Sequence, residues 1–451
     1  MKRNLLAFSC LFSTLNVFSQ QDSLLKNFKY RIGTYRAISF NANGGSNYNK
    51  LILPSGNDEN GSTGGHMGVT YYAVKSTDAI LLTELVSIGA SYSAGNATGQ
   101  GKTDKVRTFS TSSSLSVLNK WFSKNKFIEL GIAGNGNFYS TKNSPSAITD
   151  KQDQYSLQLN TGVGIGRLEN VTDMQNAIWL SKALQAANSL TNSLSIMQLG
   201  ELGRTITRAN TTRVLDARKR TQFVLATVDA YLQQQGLIGK TDISYFSNLN
   251  DILFFAFNTQ RLSGTEKYIR LTPIISGNHQ DYVHSGNFSN DYRRTKKSVL
   301  LSAGINRYIP TNLVHQNNYG AALTAYYISG NLTQMFINNG GGMNQTKSNS
   351  IARRIGGSLF YTHAIYPNTR TVVTFSFMSE CGYEQEEAVE GFYGSADLNG
   401  SLDYFISYRT RLTCNFGARY DKSQLISFPL SATIGPKDLW LYANAGIQVN
   451  L

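Results

Sequence analysis

The sequence predicts an all-β membrane protein: an antiparallel, up-and-down transmembrane β-barrel of about 14 strands, with 16 also compatible, carrying an inserted α-helical segment. Three observations predict it. Alternation of period two recurs along most of the chain, with modest aliphatic residues on one face and Gly, Ser, Asn and Gln on the other. A soluble sandwich would instead bury large apolar residues on its inner face. Second, the 451 residues include 40 Gly, 25 Tyr and 23 Phe but only 7 Pro, and 16% are charged, which favours strands and polar loops over a helical core. Third, beyond residue 20 the longest apolar run is Ile252 to Phe257, far short of the ~18 to 20 residues of a membrane-spanning helix. A helical membrane protein is therefore excluded. The low charge and many aromatics also argue against long disorder.

In chain order, Lys2 and Arg3 precede an apolar run from Leu5 to Phe18 and then Ser19, the pattern of a secretory signal over residues 1–19. Lipid attachment at Cys10 fits less well, because Cys10 lies inside the apolar run and bulky Phe8 stands two residues before it. Residues 20–168 then read as the first part of the barrel. Ile128, Leu130 and Ile132 alternate with Glu129, Gly131 and Ala133, and Tyr155, Leu157, Leu159, Val163 and Ile165 with Ser156, Gln158, Asn160, Gly162 and Gly164. Such segments of about 12 to 15 residues exceed the ~9 to 11 that a tilted membrane strand needs. Aromatics at their ends, such as Trp121 and Tyr404, suit interfacial girdles.

Residues 169–260 break the pattern and predict helices. Thr172 and Gln175 stand in capping-box spacing before Ile178, Leu180 and Leu184, and a second run of Val214, Leu215, Leu225, Val228 and Leu232 closes at Gly236. Residues 261–451 return to alternation, as in Val299, Leu301, Ala303 and Ile305, or Leu439, Leu441, Ala443, Ala445 and Ile447. Without signal and insertion, ~340 residues at roughly 24 per strand and connection give about 14 strands. Direct reading gives six before the insertion and nine after it, an odd total that points to a misreading in Ser423 to Pro436. Short connections (Lys75 to Asp78, Trp121 to Lys126, Tyr366 to Thr369, Ile406 to Arg409) alternate with long polar ones (Asn43 to Gly61, Gly95 to Asp104, Thr141 to Asp153, Ser276 to Asp291, Asn331 to Ser348). Short turns belong inside the cell envelope, so the termini and the helices are expected in the periplasm of a Gram-negative bacterium.

Gly164-Ile165-Gly166-Arg167 leading into Asn170-Val171-Thr172-Asp173, then Arg213, Asp216, Arg218 with Leu232 to Gly236, and Tyr308-Ile309-Pro310-Thr311-Asn312-Leu313 with Gln316 resemble uncharacterised outer-membrane β-barrels of the Bacteroidota type. The resemblance implies location, a barrel and a helical periplasmic insertion; it implies no substrate.

Chemistry is sparse. Among five His residues only His279 and His284 cluster, with Asp281, in one predicted outer loop; the spacing suits a loose metal site, and equally an ordinary solvated loop. Glu380, Glu384, Glu386, Glu387 and Glu390 read as a solvated acidic loop or a holder of divalent cations. Gly340 to Gly342 lacks the context of a phosphate loop. Cys381 and Cys414 lie on neighbouring strand regions, and their pairing is open. No enzyme and no cofactor are expected. The net charge of +14 is dispersed, which suits contact with the lipid bilayer and anionic lipopolysaccharide, and an exported barrel is not expected to meet nucleic acid. Two functions remain: a passive or weakly anion-favouring, porin-like channel, or a non-conducting structural component whose helices bind another envelope protein through Arg213, Asp216, Arg218, Lys219 and Arg220. An ordinary solvated helix face also accounts for the last three.

Overall fold

The computed structural model describes residues 20–53, 56–99, 102–144, 148–214, 216–255, 260–284, 288–337, 343–386, 389–406, 410–427 and 431–449. The predicted signal lies outside them. Six strands come first: β1 (Ile32–Leu53), β2 (Gly56–Ser76), β3 (Ile80–Gly99), β4 (Lys102–Ser123), β5 (Lys126–Ser144) and β6 (Ile148–Asn170). Eight follow the helices: β7 (Leu262–His284), β8 (Phe288–Pro310), β9 (His315–Ile337), β10 (Met343–Asn368), β11 (Thr371–Glu386), β12 (Val389–Phe405), β13 (Thr410–Ser427) and β14 (Ser431–Val449). They form one sheet in sequence order, every described pair antiparallel. This is an up-and-down transmembrane β-barrel of 14 strands.

The odd count is corrected. Ser423 to Pro436 spans the β13–β14 hairpin, and the register shifts between Lys422 and Gln424. Such a bulge breaks the period of two on which the sequence reading relied. The strands also run longer than expected, from 16 residues in β11 to 26 in β10. Most of each long polar connection is strand: Lys102 pairs with Gly99, and Leu53 with Gly56. Ladder hydrogen bonds belong to the backbone and need no apolar side chain to continue.

Burial along β5 shows the inversion that a membrane demands. Phe127 and Glu129 face inward at 3% and 2% exposure, while Ile128 and Leu130 face outward at 61% and 46%. Leu157, Leu159, Ile269, Leu271, Val299, Leu301, Leu323 and Leu359 are exposed in the same way on their strands, an apolar belt fitted to hydrocarbon.

The conventional core lies in the helices: α1 (Gln20–Asn27), α2 (Thr172–Ala186), α3 (Ile196–Thr211), α4 (Ala217–Gln234) and α5 (Ile243–Phe255). Leu25, Met174, Ile178, Leu202, Leu232 and Leu249 are fully buried in one cluster. One of these helices, α1, escaped the sequence reading; α3 and α5 lie inside the stretch 169–260 that the sequence marks as helical, without being separated in it. In α1 the polar start masks Leu25, and in α3 Gly200, Gly203 and Thr residues of low helix propensity blur the apolar period. The expected capping box is also corrected. Val171 occupies the N-cap of α2 without a side-chain bond; Asn170 Oδ1 accepts from Thr172 N at 3.0 Å, and Thr172 Oγ1 accepts from Arg261 N at 2.9 Å. A true capping box opens α3, between Ser195 and Gln198. Gly236 does close α4, with φ +63° and its N–H on Gln233 O. The core positions of α4 are Val224, Val228 and Leu232, with Leu225 only packed against them, and Leu215 lies outside the described residues.

Candidate functional site

Four charges brace the inner wall near the short-turn end. Lys120, Glu129, Gly162 and Arg270 stand side by side on β4, β5, β6 and β7. Lys120 Nζ lies 2.7 Å from Glu266 and 3.5 Å from Glu129; Arg270 pairs with Glu129 and, at 3.2 Å, with Glu266. Glycine is what permits the crossing of β6. A Cβ at Gly162 would stand 2.8 Å from Glu129 Oε1 and 3.0 Å from Arg270 Cγ, and one at Gly164 would stand 2.3 Å from the Phe127 ring. The side chains of β5 and β7 therefore meet over a strand that presents no side chain between them. Phe127 and Tyr268 cover the charges, with Lys120 Nζ 4.7 Å from the first ring and Arg270 3.9 Å from the second. Two cations and two carboxylates balance, which is the condition for holding charge out of water.

Below this level the helices meet the barrel at separate points of its rim. Arg31, between α1 and β1, bonds Asp78 of the β2–β3 turn and Glu169 at the end of β6, each at 2.8 Å, and Ser76 Oγ donates to Tyr30 O at 2.8 Å. Arg31 holds the Asp78 carboxyl below its usual range. Arg167 donates to Thr77 O at 2.6 Å. Arg261, fully buried before β7, donates to Leu313 O at 2.7 Å, to His315 O at 2.9 Å, to Gln316 Oε1 at 2.9 Å and to Asn312 O; its guanidinium lies 4.9 Å from the Tyr366 ring. Leu313 of the β8–β9 turn belongs to the helical core itself. Asp251 of α5 binds Arg370 of the β10–β11 turn at 2.6 Å. The β2–β3 and β10–β11 turns stand eight strands apart in the sheet, so the helical unit bridges widely separated parts of the short-turn rim. Within it Asp173 is buried and accepts from Thr207 Oγ1 at 2.7 Å and Asn210 Nδ2 at 3.1 Å; burial pushes its carboxyl up to about 6. Burial likewise raises the phenol of Tyr30.

The predicted site residues fare unevenly. His279 Nε2 sits 3.1 Å from Asp291 and Nδ1 3.7 Å from Asp153, while Asp281 stands opposite Asp291 in the ladder. The His284 side chain lies outside the described residues, among which no group of three metal-ligating side chains occurs. Arg213 and Lys219 are exposed. Arg220 donates to Asn210 O at 3.4 Å and its N–H to Asp216 O at 3.0 Å. Arg213 and Arg220 also line a cavity of about 300 Å³ against Tyr35, Arg36 and Tyr71 of the barrel, so part of the basic patch faces the protein's own wall. The Arg218 side chain is outside the described residues. The acidic group is partly engaged: Glu384 binds Arg354 at 2.8 Å and Glu380 accepts from Tyr393 at 3.2 Å. Cys381 and Cys414 are free and exposed, opposite Gly394 and Leu402 of the intervening β12.

The inner charge cluster was not singled out from sequence, although its signal was there. Glu129 interrupts a small-residue face inside a membrane strand, where a charge signals a partner. Nothing in the sequence placed Glu266 and Lys120 beside it.

The barrel, its exposed apolar belt and the charged inner wall define a transmembrane β-barrel protein. No protein-family model matches the chain, and no curated protein matches it either. Among solved structures it is similar to the ferric yersiniabactin uptake receptor FyuA from Yersinia pestis, at 8% identity over 87% of this chain and 57% of the receptor, with a TM-score of 0.35. It is also similar to the beta domain of the Bordetella autotransporter Brka, at 10% identity over 92% of this chain and 98% of that domain, with a TM-score of 0.25. The chain thus spans little more than half the length of the receptor, and at these scores neither likeness bears on activity.

Proposed function

We propose that the protein is an outer-membrane β-barrel with its short turns in the periplasm and its mouth on that side closed by the helical unit, serving as an anchored platform for an envelope partner. The carrying observation is the attachment of one helical core to rim positions eight strands apart, Arg31 with Asp78 and Asp251 with Arg370. A freely conducting pore needs that mouth clear. The apolar belt and the even strand number, which leaves both ends of the sheet at the short-turn rim, support the membrane and the topology. The resemblance to Bacteroidota-type barrels agrees with this reading. A passive channel weakly favouring anions is the second reading; it draws on the small polar inner face and the net charge of +14, and it requires the cap to move aside.

Planar-bilayer recordings separate the two. The full-length protein should be silent, and a form in which residues 172–255 are replaced by a short Gly/Ser linker should conduct. Steady conductance from the full-length protein would restore the passive channel.

A further inference from the structure

The outer wall carries a recess at the short-turn end of β5 to β8. Its volume is about 770 Å³, and Ile128, Val163, Ile165, Ile269 and Ala303 line it, with Trp121 at its edge. Most of these side chains belong to the exposed belt, so what fills the recess comes from the membrane. Two cations stand at its head. Lys126 of β5 and Lys267 of β7 both pair in register with Ile165 of β6, which sets their backbones two strand spacings, roughly 10 Å, apart. Both are exposed, and strand alternation puts Lys267 on the outside together with Ile269, whereas Glu266 and Tyr268 point inward. Neither lysine has an ion-pair partner among the described residues. Arg307, a step nearer the turns on β8, is exposed as well and lies 5.8 Å from the Tyr319 ring.

A lysine amine facing lipid has to find an anion or climb to the interface. Cations flanking an apolar recess, with Trp121 at interfacial depth, match one kind of molecule: an anion joined to a hydrocarbon chain. We infer that this recess is a binding site for an anionic glycerophospholipid, the phosphate held between Lys126 and Lys267 and one acyl chain lying along Ile165 and Ile269. The site rests on the membrane-barrel fold, and its leaflet on the topology proposed above; it does not depend on whether the mouth is closed.

Native mass spectrometry of the full-length protein, released from micelles doped with phosphatidylglycerol or phosphatidylethanolamine, tests the site. Wild-type protein should retain phosphatidylglycerol preferentially. The double variant K126Q/K267Q should retain it at least tenfold less, K126Q alone should fall between, and K142Q, at the far end of β5, should match wild type. Equal retention of the two phospholipids by wild type, or undiminished phosphatidylglycerol on both lysine variants, would overturn the inference. Firmer retention of lipid A than of phosphatidylglycerol would overturn the occupant and point to an inverted topology. Conductance of the same samples reads the closed-mouth proposal independently.

Discussion

Asp173 shows how one buried side chain ties the helical unit to pH. Its carboxyl titrates near about 6 in the folded protein, against ~3.9 in an unfolded chain, because burial disfavours the charged form more than Thr207 and Asn210 favour it. Between those values the folded state holds the extra proton. The stability this group contributes is therefore complete below ~4 and is lost as pH rises through about 6. Asp173→Asn should flatten that part of the profile and stabilise the helices at pH 7 by up to ~2–3 kcal/mol. Urea titrations in detergent at pH 4.5 and 7, followed by tryptophan fluorescence, would show it through Trp179 of α2; an unchanged pH slope in the variant would contradict the assignment. Glycine acts at the same scale by leaving space. Gly162 and Gly164 were legible as members of a small-residue face, but not as the gap through which Glu129 reaches Arg270.

At the scale of elements, strands and helices were legible to different degrees. A strand in this barrel has one lipid face and one inner face, and alternation reports both directly. The helices answer to a shared core, so their sequences satisfy packing before propensity. Ile196–Thr211 forms α3 despite two glycines because Leu199, Leu202 and Ile206 are buried and because Ser195 and Gln198 cap its first turn. Ser195→Ala should cost about 1 kcal/mol, and Ser195→Gly only a few tenths, since glycine is itself tolerated at an N-cap. The same urea titrations would measure both, and equal losses would mean that the cap bond contributes nothing. The long polar hairpins were misjudged for a related reason: polar side chains suggested loops where backbone pairing simply continues.

For the whole molecule, apolar surface is divided between two solvents. The barrel turns Ile128 and Leu130 outward to lipid, while the helices gather Leu25, Ile178 and Leu249 inward as a water-soluble domain does. One consequence concerns topology. Protease added to intact cells should spare residues 172–255 and cut there only after the outer membrane is opened, as read by fragment mapping. Cleavage in intact cells would place the short-turn end, and with it the cap, on the cell surface.

The class of architecture and the place of the inserted helices were legible in the chain, because both are written in local periodicity: alternation of two for strands, its interruption after Glu169, its return in β7. The outward facing of the aliphatic residues was legible too, since small polar partners cannot build a dry interior. The strand total came from the folded sheet, because one bulge, two residues of β14 opposite the single Ser423 of β13, resets the alternation. The same holds for where the helices attach. Arg31, Arg261 and Asp251 look like ordinary polar residues in the chain; their partners at Asp78, Leu313 and Arg370 lie 47, 52 and 119 residues away and become neighbours only when the sheet curls and brings its turns into one rim.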